Sequence, residues 1–147
     1  MRPLFSLVLL FVAALSLQAS EEIAAAQKLF QQYEALSKAF DPSVAALYSD
    51  QARIQNTRLY PNGQTRTMTL PAKQYKEVLV TAMPMAKERG DTSTFSEVQY
   101  VKEGAGVRIT ATRFSNLKNY SSPFSLLVAP DATGRWVIFE ELSESRP

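Results

Sequence analysis

Two residue types are missing from the 147-residue chain: cysteine and histidine. Without cysteine the protein holds itself by packing, as suits an exported chain that avoids thiol oxidation. Without histidine there is no Ser-His-Asp or Cys-His nucleophile system. Histidine-ligated zinc, iron and copper are excluded as well. Any acid–base chemistry at neutral pH therefore falls to a shifted carboxylate, a lysine or a tyrosine. Asp41, Asp50, Asp91 and Asp131 are scattered at expected caps and turns, so an all-oxygen calcium site lacks its cluster of acids. No cofactor or metal is expected. Charge of one sign is also lacking. Lys plus Arg is 16 against 14 for Asp plus Glu, with no block of like charge, which leaves a nucleic-acid role without an electrostatic footprint.

Long apolar runs are scarce. One run, Leu4 to Leu15, follows the basic Arg2 and precedes Ser16-Leu17-Gln18-Ala19. It is shorter than the ~20 residues of a membrane span and has the pattern of a secretory signal peptide cut after Ala19. Residues 1–19 are thus expected to be removed, leaving 20–147 as a single domain, periplasmic or secreted, with no membrane role after cleavage. No cysteine stands near the cut to carry a lipid. The remaining 128 residues (147 less 19) can build a core without staples.

Helical periodicity opens the domain. Ile23, Ala26, Phe30, Tyr33, Leu36 and Phe40 form one apolar stripe over an expected helix Glu21–Ala39. Asp41 before Pro42 reads as an N-cap with proline at the first helical position, starting a short helix Pro42–Tyr48 with Val44, Leu47 and Tyr48 inward. From Ala52 the period becomes two, placing Ala52, Ile54, Asn56 and Arg58 on one strand face. Pro61-Asn62-Gly63 is a hairpin turn, and Gln64–Leu70 returns as a second strand. A third helix begins at Pro71 with Tyr75, Val78, Leu79, Ala82 and Met83 as its stripe, and Pro84 should end or kink it. Thr92–Lys102, Val107–Ser115, Tyr120–Ala129 and Arg135–Leu142 read as strands. The polar tail Ser143–Pro147 is expected to fray.

Helices followed by hairpin-linked strands define an α+β class with an antiparallel sheet. Phe40–Ile54 (FDPSVAALYSDQARI) and Asp131–Ser143 (DATGRWVIFEELS) resemble the short helix with first strand, and the final hairpin, of the nuclear transport factor 2-like superfamily, which includes ketosteroid isomerases and polyketide cyclases. The resemblance implies a cone-shaped roll: three N-terminal helices packed in a curved, mostly antiparallel, six-stranded sheet. It carries fold better than activity.

In that superfamily's isomerases a pocket carboxylate is the base, while a tyrosine and a protonated aspartate hold the oxyanion; the isomerase is a standard example of such tuning. By resemblance, Tyr33 takes the tyrosine position, Asn56 the base position and Ser125 the second acidic position. Asparagine accepts no proton at neutral pH, and no acid lies near Ser125. Two of three functional positions thus depart from the pattern, and no catalytic residue is assigned. Pocket candidates are Tyr33, Tyr48, Asn56, Arg58, Arg113 and Ser125, with Arg58 or Arg113 suited to an acidic ligand. Strand alternation turns either Glu140 or Glu141 inward without saying which. Trp136 with Ile138, and Val137 with Phe139, make the last strand apolar on both faces, suggesting a homodimer through a sheet surface that includes Trp136 and Ile138.

Together these features point to an exported, non-catalytic module that holds a small apolar or amphipathic ligand in the cone. The alternatives are a protein-interaction factor, such as an inhibitor, immunity factor or secretion accessory, and an isomerase- or cyclase-like enzyme using Tyr33 with an inward glutamate.

Overall fold

The computed structural model describes residues 4–147, with side chains at 12 and from 14 onward. Met1, Arg2 and Pro3, part of the expected signal segment, lie outside the described residues. Helix α1 spans Leu4–Lys38, so the stripe foreseen from Glu21 is the second half of a longer helix. Glu21 and Glu22 therefore sit inside it, and Glu22 pairs with Lys102. Ala26, Leu29 and Phe30 are buried, with Ile23, Tyr33 and Leu36 packed beside them. Phe40 has left the helix, at φ 54°.

Pro42–Leu47 is a 3₁₀ turn, with the Asp41 carboxylate accepting from the Ser43 N–H at 2.8 Å. The short second helix is thus a tighter turn, and strand β1 (Tyr48–Leu59) starts four residues before Ala52. Strand β2 (Thr65–Pro71) pairs back on it. Helix α2 (Ala72–Arg89) follows β2, so the structure has one N-terminal helix and one later helix where three N-terminal helices were expected. Pro84 does not end α2, which continues to Arg89 and closes on Gly90 at φ 63°. Tyr75, Leu79 and Met83 pack on the core, whereas Val78 is exposed.

Strands β3 (Ser93–Glu103), β4 (Gly106–Ser115), β5 (Tyr120–Pro130) and β6 (Trp136–Ser145) complete a six-stranded sheet of order β2-β1-β6-β5-β4-β3. Only the central β1–β6 pairing is parallel. The supposed frayed tail is part of it: Ser143 pairs with Asn56 and Ser145 with Arg58. One sheet face meets α1, the 3₁₀ turn and α2. Ile54, Ile109, Leu126, Val128 and Ile138 fill the core there, in one cluster with Phe30 and Leu47.

Two irregularities set which side chains face inward. In β6, Ile138 pairs with Val128, yet Glu140 pairs with Leu127, leaving Phe139 as an inserted residue. A bulge of this kind reverses the alternation beyond it. In β3 one extra residue lies between Ser96 and Gln99, with Glu97 at φ 54°. Phe95 and Tyr100 both reach the core as a result.

Candidate functional site

Three rows of side chains cross the inner face. Ile54, Glu141, Leu126 and Ile109 make the deepest; Asn56, Ser143, Phe124 and Ala111 the next. Two residues further along each strand come Arg58 with its partner Ser145, and Arg113 with its partner Ser122.

Glu141 is 5% exposed. The bulge at Phe139 selects it over Glu140 as the inward acid. Tyr48, at the start of β1, donates a hydrogen bond to Glu141 Oε2, and Tyr75, on α2, donates to Oε1 at 3.1 Å. Burial raises the Glu141 carboxyl above its ordinary range, while the bonds from Tyr48 and Tyr75 and the charge of Arg113 act against that rise. Burial, then the nearby carboxylate, pushes Tyr33, Tyr48 and Tyr75 well above the usual phenol range. All three tyrosines remain donors across the working pH range. The Tyr33 ring stacks on Phe30 and Phe124, with centroids 6.0 and 5.9 Å away, and meets Phe95 edge-on at 6.1 Å.

Asn56 is tied at both ends to β6: its Nδ2 donates to Ser143 Oγ at 2.9 Å and Ser145 Oγ donates to its Oδ1 at 2.8 Å. Arg113 reaches over β5 to donate from Nη2 to the Glu144 carbonyl at 2.8 Å. The Arg58 guanidinium rests 5.8 Å from the centre of the Tyr60 ring. Among the described residues the buried side-chain nitrogen and oxygen atoms without a partner are Arg58 Nε, Arg113 Nε and Ser122 Oγ.

Of the residues singled out by sequence, Tyr33, Tyr48, Asn56, Arg58 and Arg113 come together on the inner face. Ser125 does not. It lies on the opposite face, accepting from Arg108 Nη1 at 3.1 Å in a network with Glu103 and Glu140. Ile138 is wholly buried and Trp136 is partly buried against the core cluster. Sequence reasoning missed Tyr75 as a polar partner, and Ser122, Ser143 and Ser145 altogether. Tyr75 stood in the apolar stripe of its helix; the serines carried no signal of their own.

Three cavities lie elsewhere. One of about 380 Å³ opens on the outer face between Gln55, Thr57, Thr110, Ser125, Leu142 and Glu144. Another of about 420 Å³ lies between α1, the 3₁₀ turn and Trp136. A third, of about 160 Å³, opens at the end of α1 beside Glu34, Lys38 and Phe95. None of the three reaches Glu141. Among the described residues no three Asp or Glu side chains gather as metal ligands would.

A mixed sheet with helices on one face and a central parallel pair defines an α+β roll, and solved structures place it more closely. The chain is similar to a nuclear transport factor 2-like protein with a cystatin-like fold from Novosphingobium aromaticivorans, at 13% identity over 89% of this chain and 86% of that one, TM-score 0.58. It is similar to a nuclear transport factor 2-like protein of unknown function from Shewanella oneidensis, at 19% identity over 83% and 98%, TM-score 0.58. It is also similar to a Shewanella frigidimarina protein provisionally named a ketosteroid isomerase, at 21% identity over 80% and 93%, TM-score 0.57. The chain has the nuclear transport factor 2-like fold. No family model and no curated protein matches its sequence.

Proposed function

We propose that the chain is an exported, non-catalytic binding module that holds a small amphipathic ligand on the inner face of its sheet. One observation carries this reading: among the described residues, the three buried side-chain polar atoms without partners all lie on that face, at its polar end. Unpaired buried donors are costly and rare in folded proteins, and a bound molecule is one way to satisfy them. Phe124 and Ala111 in the next row, with Phe95 and Tyr33 beside them, make the neighbouring ground apolar.

The enzymatic alternative uses Tyr33 and the inward Glu141. Proximity favours it, since the carboxylate of Glu141 acts on the Tyr33 hydroxyl. Two features weigh against it. Both Glu141 oxygens already accept from the chain's own tyrosines, and the base position of the superfamily's isomerases is filled here by an asparagine bonded at both ends.

Native mass spectrometry of the protein recovered from its own host tests the binding reading. The expected spectrum shows the polypeptide from Ser20 plus a small molecule that denaturation releases. A bare chain in every preparation would overturn the reading. Turnover of a steroid or polyketide-like ketone by wild type, abolished in Tyr33→Phe, would put the enzymatic alternative in its place.

A further inference from the structure

We infer that the polar end of the inner face is an oxyanion site, built by Arg58, Arg113 and Ser122 for the carboxylate or phosphate head of an otherwise apolar molecule. The inference rests on the binding reading and names its ligand class. Every ion pair found among the described residues leaves Arg58 and Arg113 out. Each keeps a buried Nε–H with no acceptor, and between them stands Ser122, 6% exposed, its hydroxyl also unpartnered. Guanidinium groups cannot shed their protons, so two buried N–H groups on fixed cations need an acceptor, and one carrying negative charge answers both requirements.

The surroundings point the same way. Arg113 is held over β5 by its bond to the Glu144 carbonyl, which aims its guanidinium toward the β6 end of the row, where Ser145 adjoins Arg58. The Glu144 side chain faces the outer groove. Glu141 lies two rows deeper, with both oxygens occupied. No carboxylate of the chain therefore takes the acceptor role. Phe95, the register partner of Arg113, packs against Phe124 with ring centroids 5.0 Å apart, which places an apolar side chain beside the arginine. Neutral amphiphiles would leave the two cations unanswered and should bind less tightly.

Three probes of equal chain length test this: octanoate, 1-octanol and octyl phosphate, titrated calorimetrically into the mature protein. At least tenfold tighter binding of octanoate or octyl phosphate than of 1-octanol is expected, and the stronger of the two anions assigns the head group. Arg58→Gln should remove about tenfold of that preference, the worth of a hydrogen bond to a charged group. Arg58 is the cleaner site, because its side chain makes no hydrogen bond within the described residues, whereas Arg113→Gln also loses a bond to the Glu144 carbonyl. Equal binding of octanol and octanoate would overturn the oxyanion site and leave the binding reading standing. No binding by any probe also overturns the site, and the wider reading falls with it only where native mass spectrometry finds no retained molecule.

Discussion

Glu141 concentrates the physical tension of this protein. A carboxylate taken out of water is costly, and two tyrosine hydroxyls with one arginine charge offset only part of that cost. Its folded-state pKa is raised, with burial the largest cause. Folding therefore favours the protonated form. The stabilisation from this group is complete below the ordinary glutamate range and is lost as pH rises through the raised folded value. Denaturant melts followed through Trp136, the one tryptophan, should show stability falling over that window. Glu141→Gln should flatten the dependence, and an unchanged slope would remove Glu141 as its source. Tyr48→Phe should cost about 1–3 kcal/mol at neutral pH, because a buried carboxylate oxygen loses its donor. A loss well under 1 kcal/mol would mean that the hydroxyl is dispensable.

At the scale of elements, α1 and the sheet meet through aromatic rings. Phe30 is 1% exposed, stacks on Tyr33 and meets Phe95 and Tyr100 edge-on. Phe30→Ala should cost about 3–5 kcal/mol, transfer energy plus cavity, read as a shift in the urea midpoint. At the β3–β4 turn a Cβ on Gly106 would stand 2.3 Å from the Val128 carbonyl oxygen. Gly106→Ala should therefore destabilise by about 1–3 kcal/mol as β4 and β5 are forced apart, and an unchanged midpoint would mean the strands yield freely.

The elements also show where sequence reasoning stopped. The α1 stripe and the inward set of Ala52, Ile54, Asn56 and Arg58 were legible, because period is a local property of the chain. The bulge at Phe139 was not. VIFEE has no glycine or proline to mark an insertion, so strict alternation could not choose between Glu140 and Glu141. For the same reason Ser143–Ser145 read as a frayed polar tail. What orders them is parallel pairing with β1, a contact across nearly ninety residues that no local pattern encodes. Ser125 was misplaced because the position carried over from the superfamily gave no reading of face, and the register with Thr110 turns it outward.

At the scale of the whole molecule, the two ends of α1 differ in burial. Val12, Leu15 and Leu17 are exposed at 60%, 54% and 64%, whereas the core begins near Ile23 and Ala26. Among the described residues no helix is long and apolar enough to cross a membrane. Loss of residues 1–19 should leave the Trp136-monitored unfolding midpoint unchanged, and N-terminal sequencing of the protein recovered from its host should return Ser20. Sequencing that returns Met1 would end the export proposal, and a large fall in the midpoint would show that the segment belongs to the fold.

A crystal structure of the protein purified from its own host tests most directly whether a molecule is seated over the inner face. Continuous density that contacts Arg58, Ser122 and Arg113 and runs on toward Phe124 and Phe95 is the predicted result. Water alone completing the bonds of those three side chains, with the inner face packed shut by its own aromatic rings, would contradict it.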